Sequence, residues 1–303
     1  MARPVASRNL EVAAVSDVRD YWTLLKPNVM SLVVFSAAVG LALAPVAVHP
    51  VLALVAVLAV GTAAGAAAAI NNSYDVDIDR LMTRTRRRPT AVGRIPAAEA
   101  LAFGIALAIG SIVVMGLALN WLAASLLAFT IAFYVVVYTL WLKRRTPQNI
   151  VIGGAAGAIP PVIGWAAVTG EISLFPILLF LIIFMWTPPH FWALSLYRAT
   201  DYERAGVPML PVVAGAESTR RHVLAYTLLL VPVTLLPYLI GYAGWFYGLA
   251  SLGLNAGFVG LALQLHQDRT QRTATRTFRF SLLYLFGLFA ALVADRALLG
   301  GSG

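Results

Sequence analysis

Apolar segments long enough to cross a bilayer recur along the chain, and no other feature restricts its fold as strongly. A hydrocarbon core about 30 Å thick needs roughly 20 apolar residues in helical form. Such stretches fall at 28–48, 50–72, 97–119, 121–142, 149–169, 172–196, 222–242, 244–266 and 278–299. In lipid, backbone polar groups must be satisfied within the chain, so spans of this kind are helices. The expected fold is an all-α integral membrane protein of nine transmembrane helices in a single membrane domain over 1–303. With 60 % hydrophobic and only 12 % charged residues, a soluble globular chain is excluded. Residues 1–25 read as a polar tail, and Met1–Asp20 lacks the apolar core of a signal peptide.

Charge placement tests the count. Nine spans put the basic groups Arg3–Lys26, Arg80–Arg94, Lys143–Arg145, Arg198–Arg221 and Arg269–Arg279 on one side. Of 22 Lys and Arg residues, only Arg296 falls on the other. The positive-inside rule then places the N-terminus in the cytoplasm, as in the inner membrane of a prokaryote. The net charge of +9 is explained by this topology and by contact with anionic membrane lipid or substrate, without nucleic acid. The absence of cysteine removes disulfides, thiolate metal sites and cysteine nucleophiles.

Two basic-side connections, 73–96 and 197–221, are longer than hairpins require and are expected to cap the bundle. The first opens with Asn71, Asp75 and Asp79. On a continuing helix their i, i+4, i+8 spacing lines them along one face, about 6 Å apart in rise. Carboxylates at the end of a membrane helix are costly, and three of the chain's 13 acids lie between Asp75 and Asp79. Asn71, Asp75 and Asp79 either end a helix in water, solvated or paired with nearby arginines, or form an oxygen-donor set suited to Mg²⁺, which prefers one or two carboxylates plus substrate phosphates; their shared face and the arginines that follow favour the second. Asp77 points about 200° away and reads as solvated or arginine-paired.

Arginines crowd the residues that follow. Guanidinium matches phosphate oxygens, and Arg84 and Arg88, four apart, are the expected phosphate contacts. Lys143 and Arg144, ending the fourth span, either anchor it at the interface or offer a second cationic arm. Lys26-Pro27-Asn28, opening the first, has the same two readings. No P-loop, HExxH or GxSxG pattern is present. His190 stands beside a break expected at Pro188-Pro189. It satisfies carbonyls freed by the prolines, acts as a haem or metal ligand, or serves as a polar handle in a substrate cavity. His49, His222 and His266 read as interfacial. The spans from the seventh onward carry no recognisable chemistry and read as scaffold and lipid-facing wall.

Several stretches together resemble the UbiA-type intramembrane prenyltransferases, most closely their haem branch. Asn71-Asn72-Ser73-Tyr74-Asp75-Val76-Asp77-Ile78-Asp79, with Met82, Arg84-Thr85 and Arg88-Pro89, looks like the family's first Asp-rich motif. Tyr138–Arg144 with Asn149–Gly154 and Pro160-Pro161 is similar too, as are Pro189–Leu194, Asp201-Tyr202 and Gly206–Pro211. The matches run from Lys26 to about Gly215, more than half of the chain.

The resemblance implies nine helices around a central cavity capped by polar loops. It also implies farnesyl diphosphate as donor, Mg²⁺ as cofactor and haem b as acceptor. The product would be haem O, for haem A and terminal oxidases, with a haem A synthase or oxidase assembly factors as partners. Asn71, Asp75, Asp79 and Asp201 would hold the metal. Arg84, Arg88, Lys143 and Arg144 would bind diphosphate, and His190 would bind haem. Tyr74, Tyr138 and Trp192 would shield an allylic cation. The second Asp-rich motif common in the family is reduced here to Asp201. Asn28 stands where arginine is more usual, which weakens Lys26-Pro27-Asn28 as a diphosphate contact. The competing readings are a prenyltransferase acting on a quinone precursor, a transporter, and a non-catalytic haem-binding or oxidase-assembly protein.

Overall fold

Proline punctuates the bundle in the computed structural model, which describes residues 16–298. Helices α2 (Pro27–Ala42) and α3 (Pro50–Tyr74) start on proline, where the missing N–H would have no partner and φ is already helical. Asn149–Thr169 is split into α7 (Asn149–Ala158) and α8 (Pro160–Thr169). Pro160-Pro161 break the span there, because the rings remove donors and clash with the preceding turn. The remaining long helices are α5 (Ala97–Ala118), α6 (Trp121–Ala132), α9 (Leu174–Tyr197), α12 (Gly215–Leu239), α13 (Trp245–Gln267) and α14 (Gln271–Leu298). Among the described residues eight helices are long and apolar enough to cross a membrane. A ninth span is completed if α1 (Val18–Leu24) and α2, bent by 55°, count as one. The chain is a multi-pass integral membrane protein, all-α as expected.

Three expectations need correction. The seventh and ninth helices begin at Gly215 and Gln271, not at 222 and 278, so Arg220, Arg221, Arg272 and Arg276 lie on helices that extend past the apolar core. Helix α9 runs through Pro188 and Pro189 without a break. The polar tail expected over 1–25 lies mostly outside the described residues, and its described end is helical: α1 is capped by Asp17 and tied through Asp20 to Arg94 at 2.8 Å.

Close backbone approach joins the two halves of the bundle. At the crossing of α2 and α8, a Cβ on Gly40 would stand 2.0 Å from the Pro161 carbonyl oxygen, and one on Gly164 2.0 Å from that of Ala37. No side chain fits there, so the helices pack backbone to backbone. On one side α2 and α8 meet the alanine-rich face of α3 and the packed faces of α5 and α6. On the other they meet an aromatic core from α9, α13 and α14 that includes Phe175, Trp186, Tyr247, Phe258 and Tyr284. Within it Tyr284 donates to Asn255 at 2.7 Å and Asn255 to Thr234 at 2.9 Å, so this buried polar chain is satisfied.

Arg296, the exception to the charge pattern, has a structural role. Its guanidinium donates to the Leu43 and Ala44 carbonyls, beyond the end of α2. A cation there satisfies orphan carbonyls and complements the helix dipole. Its neighbour Asp295 accepts from the Tyr247 N–H at 3.1 Å, in the first turn of α13. Across the bundle the two cap loops pack on each other. Ile78 and Met82 on the first form one apolar cluster with Tyr202, Val207 and Met209 on the second. The loops carry short helices, α4 (Val76–Leu81) in the first and α10 (Ala199–Arg204) and α11 (Leu210–Val213) in the second.

Candidate active site

Helix α3 does not continue through the acidic stretch. It breaks at Asp75, whose φ and ψ are −90° and 16°, and resumes as α4. The backbone bonds Asp75 N–H to Asn71 O (3.0 Å) and Asp79 N–H to Asp75 O (2.8 Å) persist across the break. The i, i+4, i+8 alignment survives for that reason. Asn71, Asp75 and Asp79 are 2 %, 0 % and 2 % exposed, buried beneath the first cap loop.

Buried carboxylates require partners, and each has a cation. Lys143 donates to Asp75 Oδ2, and Asn71 Nδ2 donates to the same oxygen at 2.7 Å. Arg88 donates to both Asp79 oxygens, at 2.9 and 2.8 Å. Arg144 lies 3.5 Å from Asp75 Oδ1 and donates at 2.7 Å to each oxygen of Asp77. Those hydrogen bonds hold the Asp77 carboxyl below its ordinary value. Asp77 is therefore the arginine-paired residue that its direction on the helix indicates. Asp201 is buried in the second loop and accepts from the Thr83 hydroxyl at 2.9 Å, which joins the two caps.

Lys26 also belongs to this cluster. It sits between α1 and α2 as the only non-glycine residue with positive φ (54°) among those described. Its ammonium donates to Asn71 Oδ1 at 2.7 Å. A lysine before a helix-starting proline is visible in the sequence, but the bend that aims it at α3 is not.

A second feature escaped sequence reasoning altogether. Helix α6 widens into a π-helix over Phe133–Leu142. Turns of this kind recur at functional sites. The wider turn bonds Lys143 N–H to Tyr138 O and brings Thr139 Oγ1 within 3.0 Å of Tyr134 O. It thereby brings Tyr134, Thr139 and Lys143, four to five residues apart, onto the side facing α3, where Thr139 receives Asn71 Nδ2 at 3.2 Å.

Next to these groups a cavity of about 650 Å³ runs into the apolar bundle. Lys26, Arg84 and Arg198 line its basic end, and Tyr134, Tyr138 and His190 stand further along. Of the three aromatics expected to shield a cation, only Tyr138 lines it. Tyr74 lies under Arg144, 4.7 Å from its guanidinium, and Trp192 packs against His222 and Tyr226. His190 does not satisfy proline-freed carbonyls; its Nδ1 meets Ser281 Oγ on α14 at 2.7 Å.

The donor set suits a divalent cation completed by a ligand. Asp75 Oδ1 is buried without a hydrogen-bond partner. Yet no three His, Cys, Asp or Glu side chains converge among the described residues. A hard cation that takes one or two carboxylates and draws its other oxygens from phosphates fits both facts. The arrangement is thus an acid row behind a cationic screen, opening on an apolar chamber.

The model of the UbiA prenyltransferase family matches residues 33–288, and the chain belongs to that family. It is 59 % identical over 280 residues to protoheme IX farnesyltransferase 2 of Mesorhizobium japonicum, covering 91 % of this chain and 89 % of the relative. Identity to the protoheme IX farnesyltransferase of Parvibaculum lavamentivorans is 56 % over 293 residues, 95 % and 92 % of the two chains. Among solved structures, a UbiA homologue of Aeropyrum pernix K1 superposes with a TM-score of 0.71 at 21 % identity, covering 89 % of this chain and 98 % of that one. A UbiA homologue of Archaeoglobus fulgidus bound to GPP and Mg²⁺ gives 0.58 at 17 % identity, covering 90 % and 99 %. These structures share the fold.

Proposed function

We propose that the chain transfers the farnesyl group of farnesyl diphosphate to a vinyl group of haem b, giving haem O and diphosphate. The observation that carries this reading is identity of 59 % and 56 %, over nearly the whole chain, to relatives named protoheme IX farnesyltransferase. The chamber supports it. Its basic end suits a diphosphate and its apolar depth a farnesyl chain, and His190 offers a polar handle for the acceptor.

Lys26 and Arg84, which line the basic end, receive the diphosphate, and Arg88, Lys143 and Arg144, paired with the acids outside the cavity lining, add to the positive field that stabilises charge developing on the leaving group. The allylic C–O bond breaks and its electron pair departs with the diphosphate. Tyr138, on the cavity wall, faces the carbon chain and stabilises the allylic cation through its ring. The vinyl π pair of haem forms the new C–C bond. Water adds to the cation left beside the porphyrin and loses a proton, leaving a hydroxyl. Mg²⁺ would be held by Asn71 with one or two of the carboxylates of Asp75, Asp79 and Asp201, and would supply further charge neutralisation of the leaving group.

The basic groups gathered at one end support an N-terminus in the cytoplasm and a site at the cytoplasmic face of a prokaryotic inner membrane. The test is direct: purified membranes supplied with labelled farnesyl diphosphate, Mg²⁺ and haem b should yield labelled haem O. Labelling of an aromatic quinone precursor instead would overturn the proposal.

A further inference from the structure

Helix α14, read from the sequence as scaffold, supplies one wall of the cavity through Phe278, Leu282 and Leu285. Helix α9 supplies the wall beside it with His190 and Leu194, and Arg198, its C-cap, follows at i+8. Ser281 of α14 joins the two. Its hydroxyl lies 2.7 Å from His190 Nδ1 and 2.7 Å from the Phe278 carbonyl oxygen.

Those two contacts determine a tautomer. A carbonyl only accepts, and a serine hydroxyl has a single proton to give. Given to His190, that proton would leave two lone-pair oxygens facing each other at 2.7 Å. It therefore goes to the Phe278 carbonyl, and Ser281 Oγ accepts Nδ1–H from His190. The imidazole lone pair is then on Nε2, which has no hydrogen-bond partner among the described residues in a ring that lines the cavity. The ring plane is held as well. His190 stacks on Trp186 (centroids 4.2 Å apart, 20° between planes) and on Phe278 (4.8 Å, 30°). Trp186 in turn donates to the Ser281 carbonyl at 2.8 Å.

Two turns further toward the basic end stands Arg198. Its Nε is buried without a hydrogen-bond partner, and no carboxylate pairs with it among the described residues. The rise from His190 to Arg198 is about 12 Å, comparable in scale to the reach from the metal of a porphyrin to the carboxylates on its rim. A neutral imidazole that donates one N–H to a second group and offers the other nitrogen is the usual form of a metal-binding histidine.

We infer that the α9–α14 wall takes its acceptor in one orientation. His190 Nε2 faces the porphyrin metal, Arg198 receives a carboxylate of the rim, and Ser281 is the positioning residue that sets the histidine. This rests on the haem-acceptor reading above.

The experiment titrates the purified full-length protein with haem b, and separately with haem b dimethyl ester, in the absence of farnesyl diphosphate. Absorption spectra report ligation and affinity. Ser281→Ala should weaken haem b about tenfold or more and alter the ligation spectrum, as loss of an outer-shell partner does, while Ser281→Thr restores both. Arg198→Gln should weaken haem b about tenfold and leave the ester, whose carboxylates are blocked, unchanged. Farnesyl diphosphate affinity should hold in Ser281→Ala and Ser281→Thr. A wild-type spectrum and affinity in Ser281→Ala, or equal weakening of acid and ester in Arg198→Gln, overturns the inference. If Ser281→Ala also loses farnesyl diphosphate affinity it is misfolded, and the Arg198 acid–ester comparison decides. His190→Ala separates the layers: an unchanged spectrum sinks the haem reading of His190 itself, whereas its loss with normal Ser281→Ala and Arg198→Gln sinks only the orientation.

Discussion

Lys26 Nζ donates to Asn71 Oδ1 at 2.7 Å, linking residues 45 apart in sequence. The contact turns the start of α2 into part of the acid row on α3. Lys26 also lines the cavity, where a substrate diphosphate would meet it. Lys26→Met keeps the stem and removes the charge. It should raise the KM for farnesyl diphosphate roughly ten- to a hundredfold, the range of a charge-assisted hydrogen bond. Steady-state kinetics in detergent check this; an unchanged KM would restore the weaker role that Asn28 suggests.

Asp75 holds Asn71, Lys143 and Arg144 together while fully buried. Asp75→Asn should abolish detectable haem O formation and remove the response of farnesyl diphosphate binding to added Mg²⁺. Equilibrium binding with and without a chelator reads the second effect apart from turnover. Wild-type behaviour in either assay would refute the acid row as a metal site.

Asp77 supplies the internal control. It is paired with Arg144 but its side chain is 64 % exposed, and surface pairs of this kind contribute about 0–1 kcal/mol. Asp77→Asn should keep activity within roughly fivefold of wild type. A loss as deep as that of Asp75→Asn would show that helical direction is a poor guide here.

The α2–α8 crossing predicts an asymmetry between glycines. A methyl at Gly164 would collide with the Ala37 carbonyl, whereas one at Gly110 meets nothing within 4 Å. Gly164→Ala should destabilise by about 2 kcal/mol or more. Gly110→Ala should be neutral or slightly stabilising. Thermal unfolding midpoints in one detergent compare them directly.

Arg296 makes a further structural claim testable. Arg296→Gln removes the cap on the Leu43 and Ala44 carbonyls and should lower the unfolding midpoint, at a cost of about 1 kcal/mol. Its distance from the cavity leaves haem affinity unchanged. Haem titration beside a melting curve separates the two readouts.

Much of the plan is written locally. Length and apolarity set the spans, because lipid leaves a backbone no other partner. Four-residue spacing aligns Asn71, Asp75 and Asp79 and turns Asp77 aside, because both follow from 3.6 residues per turn. The six arginines from Arg80 to Arg94 mark one membrane face by composition alone, and their chemistry suits an anion. Three decisions belong to the tertiary structure. The bend at Lys26 aims an ammonium at Asn71, and the π turn redirects Tyr134 and Lys143. Ser281, from a helix that looks inert in sequence, selects the tautomer of a histidine 91 residues away. Each depends on a contact across the bundle, where packing decides which of several equally allowed backbones and proton positions is kept. Periodicity and composition report only what a segment can do with its own neighbours.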